Sequence, residues 1–561
     1  MYAQDSHGKI KYELAVSTFD DRAAFSDIFT DGPGQLNACH TCCDRHADNA
    51  GRVALRYCRP GGEILDISFS TLADQVAKLA DVFAERGVRK GDRIAGLLPR
   101  TPELLITILA TWRLGAVYQP LFTAFGPKAI EHRVREAGAK VIVTDGPNRA
   151  KVSGLTDLCT IITIITVGAG GASTDLDFWA ELNAKPGTAE PVPCEPEDPF
   201  LIMFTSGTTG PAKPLLVPLK AIVAFVAYMR DAVDLRPDDC FWNIADPGWA
   251  YGLYYAVTGP LAMGLATTFY DGPFTVEDTY RTIQRLGITN LAGSPTAFRL
   301  LIAAGPAAAE GVKGRLRVVS SAGEPLNPEV IRWFAQHLDT TIHDHYGQTE
   351  LGMVLCNHHG LAHPVRHGSA GFAIPGHRVV VLGPDGGELG PGEPGILALD
   401  RTRSPLMWFS GYWQRPTPAF VGDYYLSGDT VETAPDGSIA FVGRADDVIT
   451  SSGYRIGPFE VESALIEHPA VAESAVVGKP DPERTEVVKA YVVVKAGIEP
   501  DAGLAESIQA YVKKRLSAHS YPREIEFVDS LPKTPSGKLQ RFLLRNQEVA
   551  RAAPATAATA S

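Results

Sequence analysis

Residues 205–213, which read Thr-Ser-Gly-Thr-Thr-Gly-Pro-Ala-Lys, have the composition of a loop that binds phosphate. They follow an apolar run at 200–204 that predicts a buried strand ending in a turn. Glycine lets backbone N–H groups approach a ligand, hydroxyl groups donate to phosphate oxygens, and lysine adds positive charge. This set of groups suits a polyphosphate. The candidate residues are Thr205, Ser206, Gly207, Thr208, Thr209, Gly210 and Lys213.

The stretch differs from a Walker A loop, in which four residues separate the two glycines and lysine directly follows the second. Here Gly207 and Gly210 are closer together, and Lys213 comes later. A surface linker rich in Ser, Thr and Gly has a similar composition. This stretch alone therefore leaves two interpretations open, a phosphate loop and a linker.

A second segment combines the side chains needed around a nucleotide and a metal ion: Asp344, His345, Tyr346, Gly347, Gln348, Thr349 and Glu350. An aromatic ring can stack on a base, a threonine can donate to a phosphate, and a glutamate is an oxygen ligand for Mg²⁺. The segment at 321–325, Ser-Ala-Gly-Glu-Pro, is less specific. A glycine there lets the backbone lie against a flat ring, but the segment alone is typical of a turn.

Two more clusters lie towards the C-terminus. Asp429, within Ser-Gly-Asp-Thr, can accept from two ribose hydroxyls, and Arg444 can contact a ribose or a phosphate. The following pair, Asp446 and Asp447, is also typical of a solvated turn. At 532–538 the chain reads Pro-Lys-Thr-Pro-Ser-Gly-Lys, where a glycine frees the loop and Lys538 presents a mobile cation. An isolated Ser-Gly-Lys is usually a surface turn.

Taken together, these clusters resemble the adenylate-forming superfamily, which includes acyl-CoA synthetases, firefly luciferase and the adenylation domains of peptide synthetases. They span nearly the whole chain. One departure is visible: most members have Pro-Lys-Gly where this chain has Ala212-Lys213-Pro214. A proline at this position stiffens the segment and removes one N–H. The chain looks most like the medium-chain acyl-CoA synthetases, through Tyr-Gly-Gln-Thr-Glu at 346–350 and Ser-Ser-Gly-Tyr-Arg-Ile-Gly-Pro at 451–458.

The resemblance implies an α/β fold in two domains. The large N-terminal domain, residues 1–445, contains parallel sheets flanked by helices and a small β-rich subdomain. A small, mobile α+β domain follows at 446–550, and a disordered tail at 551–561. In the family, the position of Asp446 is the hinge between the domains.

The resemblance also implies the site residues. ATP and Mg²⁺ are expected as ligands, with Glu350 at the metal, Tyr346 on adenine, Asp429 on the ribose and Thr349 on the α-phosphate. Lys538 is expected to bridge the carboxylate and the α-phosphate. The predicted catalytic residues are therefore Lys538, Thr349 and Glu350. The nucleotide site adds the phosphate loop together with Gly323, Glu324, Pro325, Asp344, His345, Gly347, Gln348 and Arg444.

Coenzyme A is the expected acyl acceptor. In the family the C-terminal domain rotates after adenylation, so that Lys538 leaves and another face arrives. Gly453 would leave a narrow path for the pantetheine thiol. The predicted coenzyme A residues are Ser452, Gly453, Tyr454, Arg455 and, less directly, Arg523. The segment after the α+β unit shows no carrier-protein module with its attachment serine, which favours free coenzyme A.

The identity of the acid rests on three positions. Trp249 resembles a tryptophan that forms a wall of the acyl pocket, although a core aromatic has the same pattern. Acetyl-CoA synthetases have tryptophan where this chain has Gly347 and valine where it has Ala322. Small residues at both positions predict room for several methylenes, each contributing about 0.8 kcal/mol when buried. The prediction is a medium-chain, branched or aryl carboxylate.

The alternatives are an acetyl- or propionyl-CoA synthetase, an adenylating enzyme that loads a carrier protein, and a silent nucleotide-binding protein. The presence of Lys538, Glu350 and Asp429 argues against the last, because a decayed enzyme need not keep all three. The resemblance to acyl-CoA synthetases places the function in fatty acid and lipid metabolism.

Composition restricts the remaining functional classes. The chain has 561 residues and a formal net charge of −12, which argues against a nucleic-acid surface or an anionic-membrane anchor. No apolar run reaches transmembrane length and no signal peptide is evident, so a cytoplasmic protein is expected. Eight scattered cysteines suggest reduced thiols. Cys39, Cys42 and His46 make a zinc site conceivable, but no second pair follows at finger spacing. Composition leaves monomer and homodimer equally open.

The surrounding elements alternate as expected for parallel sheets covered by helices. Thr71-Leu72-Ala73-Asp74 has the form of a capping box, and Gly87 is predicted to end the helix that follows it. Residues 168–171, Gly-Ala-Gly-Gly, lack the third glycine of a dinucleotide loop and predict a turn. Short strands dominate after Pro364, and a compact α+β unit is predicted after Gly443.

Overall fold

The structure is a computed structural model that describes residues 9–30, 36–49, 51–155, 163–205, 212–451, 454–481, 484–516, 520–533 and 539–552. At 454 and 455 it describes the backbone alone. Predicted site residues Ser206 to Gly210, Ser452, Gly453 and Lys538 lie outside these ranges, as does the predicted tail beyond Ala552.

Strands and helices alternate through the first half of the chain. The strands are β1 (Ile10–Lys11), β2 (Val53–Cys58), β3 (Ile64–Ser68), β4 (Arg93–Leu97), β5 (Val117–Pro120), β6 (Val141–Asp145), β7 (Thr163–Val167), β8 (Leu176–Asp177), β9 (Pro199–Thr205), β10 (Lys213–Pro218), β11 (Phe241–Asn243), β12 (Thr267–Tyr270) and β13 (Asn290–Gly293). The helices are α1 (Tyr12–Ser17), α2 (Asp21–Ile28), α3 (Ala38–Cys42), α4 (Phe69–Glu85), α5 (Pro102–Arg113), α6 (Pro127–Ala137), α7 (Gly146–Arg149), α8 (Phe178–Asn183), α9 (Ala221–Ala227), α10 (Ala250–Gly252), α11 (Gly259–Ala262) and α12 (Val276–Leu286).

The second half contains more strands and fewer helices. The strands are β14 (Val318–Ala322), β15 (Ile342–Gln348), β16 (Gly352–Cys356), β17 (Leu361–Ala362), β18 (Phe372–Ala373), β19 (Val379–Leu382), β20 (Pro394–Asp400), β21 (Phe420–Val421), β22 (Tyr424–Thr433), β23 (Ile439–Arg444), β24 (Ile449–Ser451), β25 (Tyr454–Ile456), β26 (Val471–Asp481), β27 (Thr485–Val494) and β28 (Glu524–Phe527). The helices are α13 (Pro295–Ala303), α14 (Pro306–Ala309), α15 (Pro328–Leu338), α16 (Pro458–Ile466), α17 (Ala502–Arg515) and α18 (Arg541–Ala552).

Two large sheets carry the N-terminal part. One has the order β10-β9-β5-β4-β6-β7-β8 and is parallel except for its edge pair, β9 with β10. The other has the order β11-β13-β14-β15-β16-β18, and it is parallel from β11 to β15. Parallel strands joined through helices bury both faces, which explains the near-continuous apolar runs of these strands. This mixed α/β architecture confirms the predicted fold class.

Smaller sheets complete the structure. Strand β12 pairs with β2 in parallel, and β2 pairs with β3 as an antiparallel hairpin. The β-rich part predicted after Pro364 is the sheet β19-β20-β22-β21, with β23 paired to β22. The C-terminal unit has its own sheet, β25-β24-β27-β26 with β28, and its own apolar core, which includes Val461, Val488 and Ile508.

The sequence correctly predicts the buried apolar face of helix α4, but it misplaces the start of the helix. Leu72, Val76, Leu79 and Phe83 recur at helical spacing, and all are fully buried. The capping-box prediction was wrong: the helix begins at Phe69, and the hydroxyl of Ser68 accepts from the N–H of Thr71. Ser68, three residues before Thr71, provides the cap, so Thr71 lies inside the first turn.

The described residues also bear on the turn at 168–171, the C-terminal tail and the cysteines near residue 40. The turn at 168–171 is confirmed. Helix α18 was not predicted, and it includes Arg551, which had been assigned to the tail; the Arg551 guanidinium pairs with Glu526. Burial raises the pKa of the thiols of Cys39 and Cys42. In the described part of the chain no cluster of three or more metal-ligating side chains occurs, and no helix is long and apolar enough to cross a bilayer.

Candidate active site

The two ends of the predicted phosphate loop are held together as neighbouring strand residues. Thr205 ends β9 and Lys213 begins β10, and the two are paired across the antiparallel ladder. Strand β9 is buried along its length, so the loop is anchored on a rigid element. The Lys213 ammonium lies 5.0 Å from the centre of the Tyr412 ring. This contact directs the lysine towards the cavity that residues 344–350 line.

Pro214 fits the sheet because β10 is an edge strand. It pairs with Phe204, and its carbonyl accepts from the N–H of Trp413 at 2.8 Å. Edge strands tolerate proline because one row of their backbone groups faces away from the ladder. The departure from the family pattern therefore leaves the base of the loop intact.

The proposed base and ribose contacts are linked directly. The hydroxyl of Tyr346 donates to Asp429 Oδ2 at 2.5 Å, and Gln348 Nε2 donates to the same oxygen at 3.0 Å. Tyr425 in turn donates to the amide oxygen of Gln348 at 2.9 Å. Burial raises the pKa of Asp429, against the hydrogen bonds from Tyr346 and Gln348 and the charge of Arg444, which lower it. The network holds a buried carboxylate beside an aromatic ring, an arrangement compatible with the predicted ribose and adenine contacts.

Arg444 connects this network to the predicted hinge. It pairs with Asp429 across β22 and β23, with 3.7 Å between Arg444 Nη1 and Asp429 Oδ1. Its Nε lies 3.3 Å from Asp446 Oδ1. Arg545 of α18 donates to the carbonyl of Asp446 and to Asp447 Oδ1. Asp446 therefore lies at an element boundary and is held from both sides.

Glu350 has the chemistry of a magnesium ligand. It is buried in the wall of the candidate nucleotide cavity, which Lys213, Tyr346 and Asp429 also line. The hydroxyl of Tyr412 donates to Glu350 Oε1 at 2.8 Å. Burial raises the pKa of this carboxyl, and the charge of Lys213 partly offsets that effect. A buried carboxylate facing a phosphate site is a favourable oxygen donor for Mg²⁺, which usually binds through one or two carboxylates and substrate phosphates.

The side chains of Asp344 and His345 support β15, which forms part of the wall of the nucleotide cavity. The Asp344 carboxylate accepts from the N–H of Leu326, just past the segment at 321–325, and burial raises the pKa of Asp344 to about 8. The His345 ring is buried and lies within hydrogen-bonding distance of Tyr228 and Asn357. Both residues line the cavity, but their side chains brace β15.

Buried histidines surround this strand and predict acid lability. His358 packs against Tyr12 and His363, and burial lowers the pKa of His358 to about 3. The folded state therefore binds fewer protons than the unfolded state between pH 6.5 and about 3, so stability falls as the pH falls through this range. For His358 alone, the loss between pH 7.5 and 5 is about 2 kcal/mol.

We expect His358→Phe to lose less stability on acidification than the unmodified chain. The phenyl ring keeps the aromatic packing with Tyr12 and removes one titrating site. The measurement is the urea midpoint at pH 7.5 and at pH 5. Asp344 has the opposite sign, because its raised pKa favours the folded state at lower pH. Identical acid losses in the two proteins would contradict the assignment to His358.

A second cavity, of about 980 Å³, lies beside the nucleotide cavity. Trp249 forms part of its wall and packs against Phe122 and Phe125, with ring centroids 5.6 and 5.3 Å apart. Ala322 and Gly347 line the same cavity. The three residues predicted to shape an acyl pocket are therefore brought together by the fold.

The two cavities meet at one set of residues. Both are lined by Gly323, Glu324, Gly347, Gln348 and Thr349. Gly323 has a φ of +103°, which favours glycine and lets the backbone turn sharply after β14. A carboxylate in the larger cavity and an α-phosphate in the smaller one would meet beside Thr349.

Gly347 is small for a local reason as well. An added Cβ would lie 2.2 Å from the carbonyl oxygen of Gly352 and 2.7 Å from the Cα of Met353, where β15 and β16 change register. A side chain at this position would therefore do more than occupy part of the pocket. In this backbone a tryptophan, or even an alanine, requires β16 to move.

We therefore expect Gly347→Ala to lower the melting temperature by several degrees, since overpacking typically costs about 1–3 kcal/mol. Gly154→Ala is the matched control, because nothing lies within 4 Å of an added Cβ there. Thermal unfolding of both variants checks this. A Gly347→Ala protein as stable as the control would show that the backbone adapts freely.

The C-terminal unit covers the nucleotide cavity. Lys533, Leu539 and Arg541 line it together with Glu462 of α16. Lys533 and Leu539 form a backbone bridge, and Arg541 makes a two-pronged ion pair with Glu462. The residues that flank the predicted Lys538 segment thus face the nucleotide side.

The predicted coenzyme A residues are not gathered here. Tyr454 and Arg455 lie in β25, which pairs with β24 at the edge of the C-terminal sheet. The Arg523 guanidinium stacks on Tyr521 at 4.3 Å. Arg523, the one of the three whose side chain is described, lines neither cavity.

Several functional candidates escaped sequence reasoning. Tyr412 orients Glu350, Tyr425 orients Gln348, and Arg541 anchors the segment before α18. Each partner is distant in sequence, so no local spacing could have indicated the contact. Arg133, on α6, also lines the larger cavity.

The chain is similar to known proteins over most of its length. The family model described as AMP-binding enzyme matches residues 43–413, and that of the AMP-binding enzyme C-terminal domain matches 460–538. An acetyl-coenzyme A synthetase of Bacillus subtilis is 36% identical, covering 97% of this chain and 96% of the relative. A Brucella canis acyl-CoA synthetase structure is 58% identical, with a TM-score of 0.78 over 96% of this chain and 99% of that one. The anthranilate CoA ligase AuaEII, in complex with anthranoyl-AMP, is 25% identical, with a TM-score of 0.84 over 93% and 99%.

The family models cover most of the chain, and the bacillary relative matches it over nearly its whole length. Acyl-CoA synthetase activity, with ATP, Mg²⁺ and coenzyme A, accords with both family domains and with the relatives. The chain belongs to the AMP-binding enzyme family and is an AMP-forming acid–thiol ligase.

Proposed function

We propose that this acyl-CoA synthetase activates a medium-chain, branched or aryl carboxylic acid. The observation that carries the proposal is the cavity of about 980 Å³ beside the nucleotide cavity, with Trp249, Phe122 and Phe125 in its wall. Pockets of about 300–1,000 Å³ suit drug-sized ligands.

Acetate is the alternative, favoured by the similarity to the acetyl-coenzyme A synthetase of Bacillus subtilis. A methyl group would contact a small part of this wall and would leave most of the aromatic surface without an apolar partner. Each further buried methylene contributes about 0.8 kcal/mol. The wall therefore favours a longer or aromatic acid over acetate.

Adenylation is proposed to occur where the two cavities meet. The carboxylate oxygen attacks the α-phosphorus of ATP, an acyl-AMP forms, and pyrophosphate leaves. Lys213 and the phosphate loop would hold the phosphates, Tyr346 the adenine and Asp429 the ribose. Thr349 and Lys538 would donate to the α-phosphate, where negative charge develops. Lys538 would also bring together two anions that otherwise repel each other.

Glu350 is proposed to hold Mg²⁺, with Tyr412 fixing the carboxylate through Oε1. When bound, Mg²⁺ neutralises negative charge on the phosphate oxygens. The other groups of the site would orient ATP, and Glu462 and Arg541, which line the same cavity, would shield the acyl-AMP from water.

Thioester formation is proposed to follow a rotation about Asp446. The face with Ser452, Gly453, Tyr454 and Arg455 would then replace the Lys538 segment. The coenzyme A thiol attacks the acyl carbon and AMP leaves. Hinges are a few residues at element boundaries that absorb the backbone change. The two-sided hold on Asp446 by Arg444 and Arg545 supports this position.

The test is pyrophosphate release with ATP, Mg²⁺ and acids from acetate to decanoate plus benzoate, each with and without coenzyme A. We expect turnover that depends on coenzyme A and peaks at medium-chain or aryl acids. A clear preference for acetate would refute the assignment of the acid while leaving the enzyme class intact. Release without coenzyme A turnover would indicate a carrier protein as acceptor, and no release with any acid would indicate a silent nucleotide-binding protein.

A further inference from the structure

The larger cavity has an uneven set of charges in its wall. Among the described residues, five charged side chains line it: Arg100, Arg133, Asp246, Asp271 and Glu324. Each carboxylate has a cationic neighbour outside or within the wall. The pairs are Asp246 with Arg100 at 3.9 Å, Asp271 with Arg59 at 3.8 Å, and Glu324 with Arg299 at 3.0 Å.

Arg133 has no such neighbour. Among the described residues no carboxylate lies within 4.0 Å of its guanidinium, and its one hydrogen bond is from Nη1 to the carbonyl of Ala129 at 2.9 Å. The residue is 9% exposed. Burial lowers the pKa of Arg133, and no neighbouring charge raises it. A buried cation without an ion-pair partner is costly, and guanidinium keeps its charge.

Two aromatic rings hold the guanidinium in place. Its central carbon lies 4.2 Å from the centre of the Phe125 ring and 5.8 Å from that of Phe204. Phe125 contacts Trp249 in the acyl wall, and Phe204 precedes Thr205 at the base of the phosphate loop. Arg133 therefore lies between the place expected for the acyl chain and the place expected for phosphates.

We propose that Arg133 forms an anion subsite of this cavity and binds a carboxylate or phosphate group of a substrate. Stacking fixes the plane of the guanidinium, and the N–H groups not bonded to Ala129 remain available for a two-pronged contact. The anion has two possible sources, a distal carboxylate on the acid or a phosphate of coenzyme A. The inference rests on acyl-CoA synthetase activity but not on the preferred chain length.

The test compares pairs of substrates that differ only in an anionic group. The acid pair is hexanoate and adipate, and the acceptor pair is coenzyme A and pantetheine. With Arg133→Gln we expect KM to rise about 10- to 100-fold for the member of one pair that carries the additional anionic group, adipate or coenzyme A, the usual effect of losing a hydrogen bond to a charged group. The member that lacks this group, hexanoate or pantetheine, should change little, and Arg133→Lys should restore part of the difference.

Arg135→Gln is the matched control, because Arg135 lies on the same helix, is exposed and pairs with Glu131. An effect on the acid pair identifies a distal carboxylate, and an effect on the acceptor pair identifies a phosphate. Equal KM changes for both members of both pairs would overturn the proposal and would leave Arg133 as support for Phe125. Because each comparison uses one enzyme with matched substrates, it stands even if another acid is preferred in the panel.

Discussion

Lys538→Ala is expected to lose about 100- to 1,000-fold in adenylation rate while keeping thioester formation from supplied acyl-AMP. The reason is that Lys538 is proposed to stabilise charge on the α-phosphate only in the first step, and removing one such donor typically has this effect. Pyrophosphate exchange measures the first half-reaction. Consumption of synthetic acyl-AMP with coenzyme A measures the second.

The residues on either side of the Lys538 segment support the separation of the two steps. Lys533 and Leu539 line the nucleotide cavity, whereas no residue of β24 does. Lys514→Ala is a suitable control, since this lysine is exposed on α17 of the same unit. Equal losses in both half-reactions would show that Lys538 supports the fold or both steps, against the proposal.

Asp429→Ala is expected to raise KM for ATP by at least about 100-fold. The variant loses the two proposed ribose bonds, each worth about 1.5–3 kcal/mol when the acceptor is charged. It also leaves the Tyr346 hydroxyl and the Gln348 amide without the oxygen they share. Some loss of stability should accompany the kinetic effect, because buried donors lose their acceptor.

The measurement is the ATP dependence of pyrophosphate release at saturating acid. Asp436→Ala serves as control, because Asp436 is exposed in the turn between β22 and β23 and accepts from Ser438. If KM for ATP stayed within threefold of the unmodified enzyme, Asp429 would be a structural residue and the ribose would bind elsewhere. Asp429→Asn, which keeps one acceptor oxygen, should lie between the two.

Local patterns predicted most of the fold that carries the site. The strand before the phosphate loop, the helix after Thr275 and the turn after β7 could be predicted because each depends on residues close in sequence. Helix α18 was missed, and the start of α4 was misplaced by three residues. At the start of α4, Ser68 and Thr71 can both cap the helix, and the burial of Phe69 favours the earlier start.

The site residues, too, were only partly predictable from the sequence. Motif residues such as Tyr346, Thr349 and Glu350 carry recognisable chemistry in short segments, so the enzyme class was accessible from the sequence. Residues that orient them were not, since Tyr412 reaches Glu350 across 62 positions and Asp429 reaches Tyr346 across 83. Such contacts depend on how sheets pack and leave no periodic trace.

The sequence by itself indicated the reaction class, because several short motifs, each ambiguous alone, together resemble one enzyme superfamily. The tertiary structure alone decided three other features: the joining of two cavities beside Thr349, the steric reason for glycine at 347, and the isolation of Arg133 in a wall where every carboxylate is paired. These features arise from groups distant in the chain that close packing brings within a few ångströms. Their energies depend on burial and on neighbouring charge, which only the folded arrangement specifies.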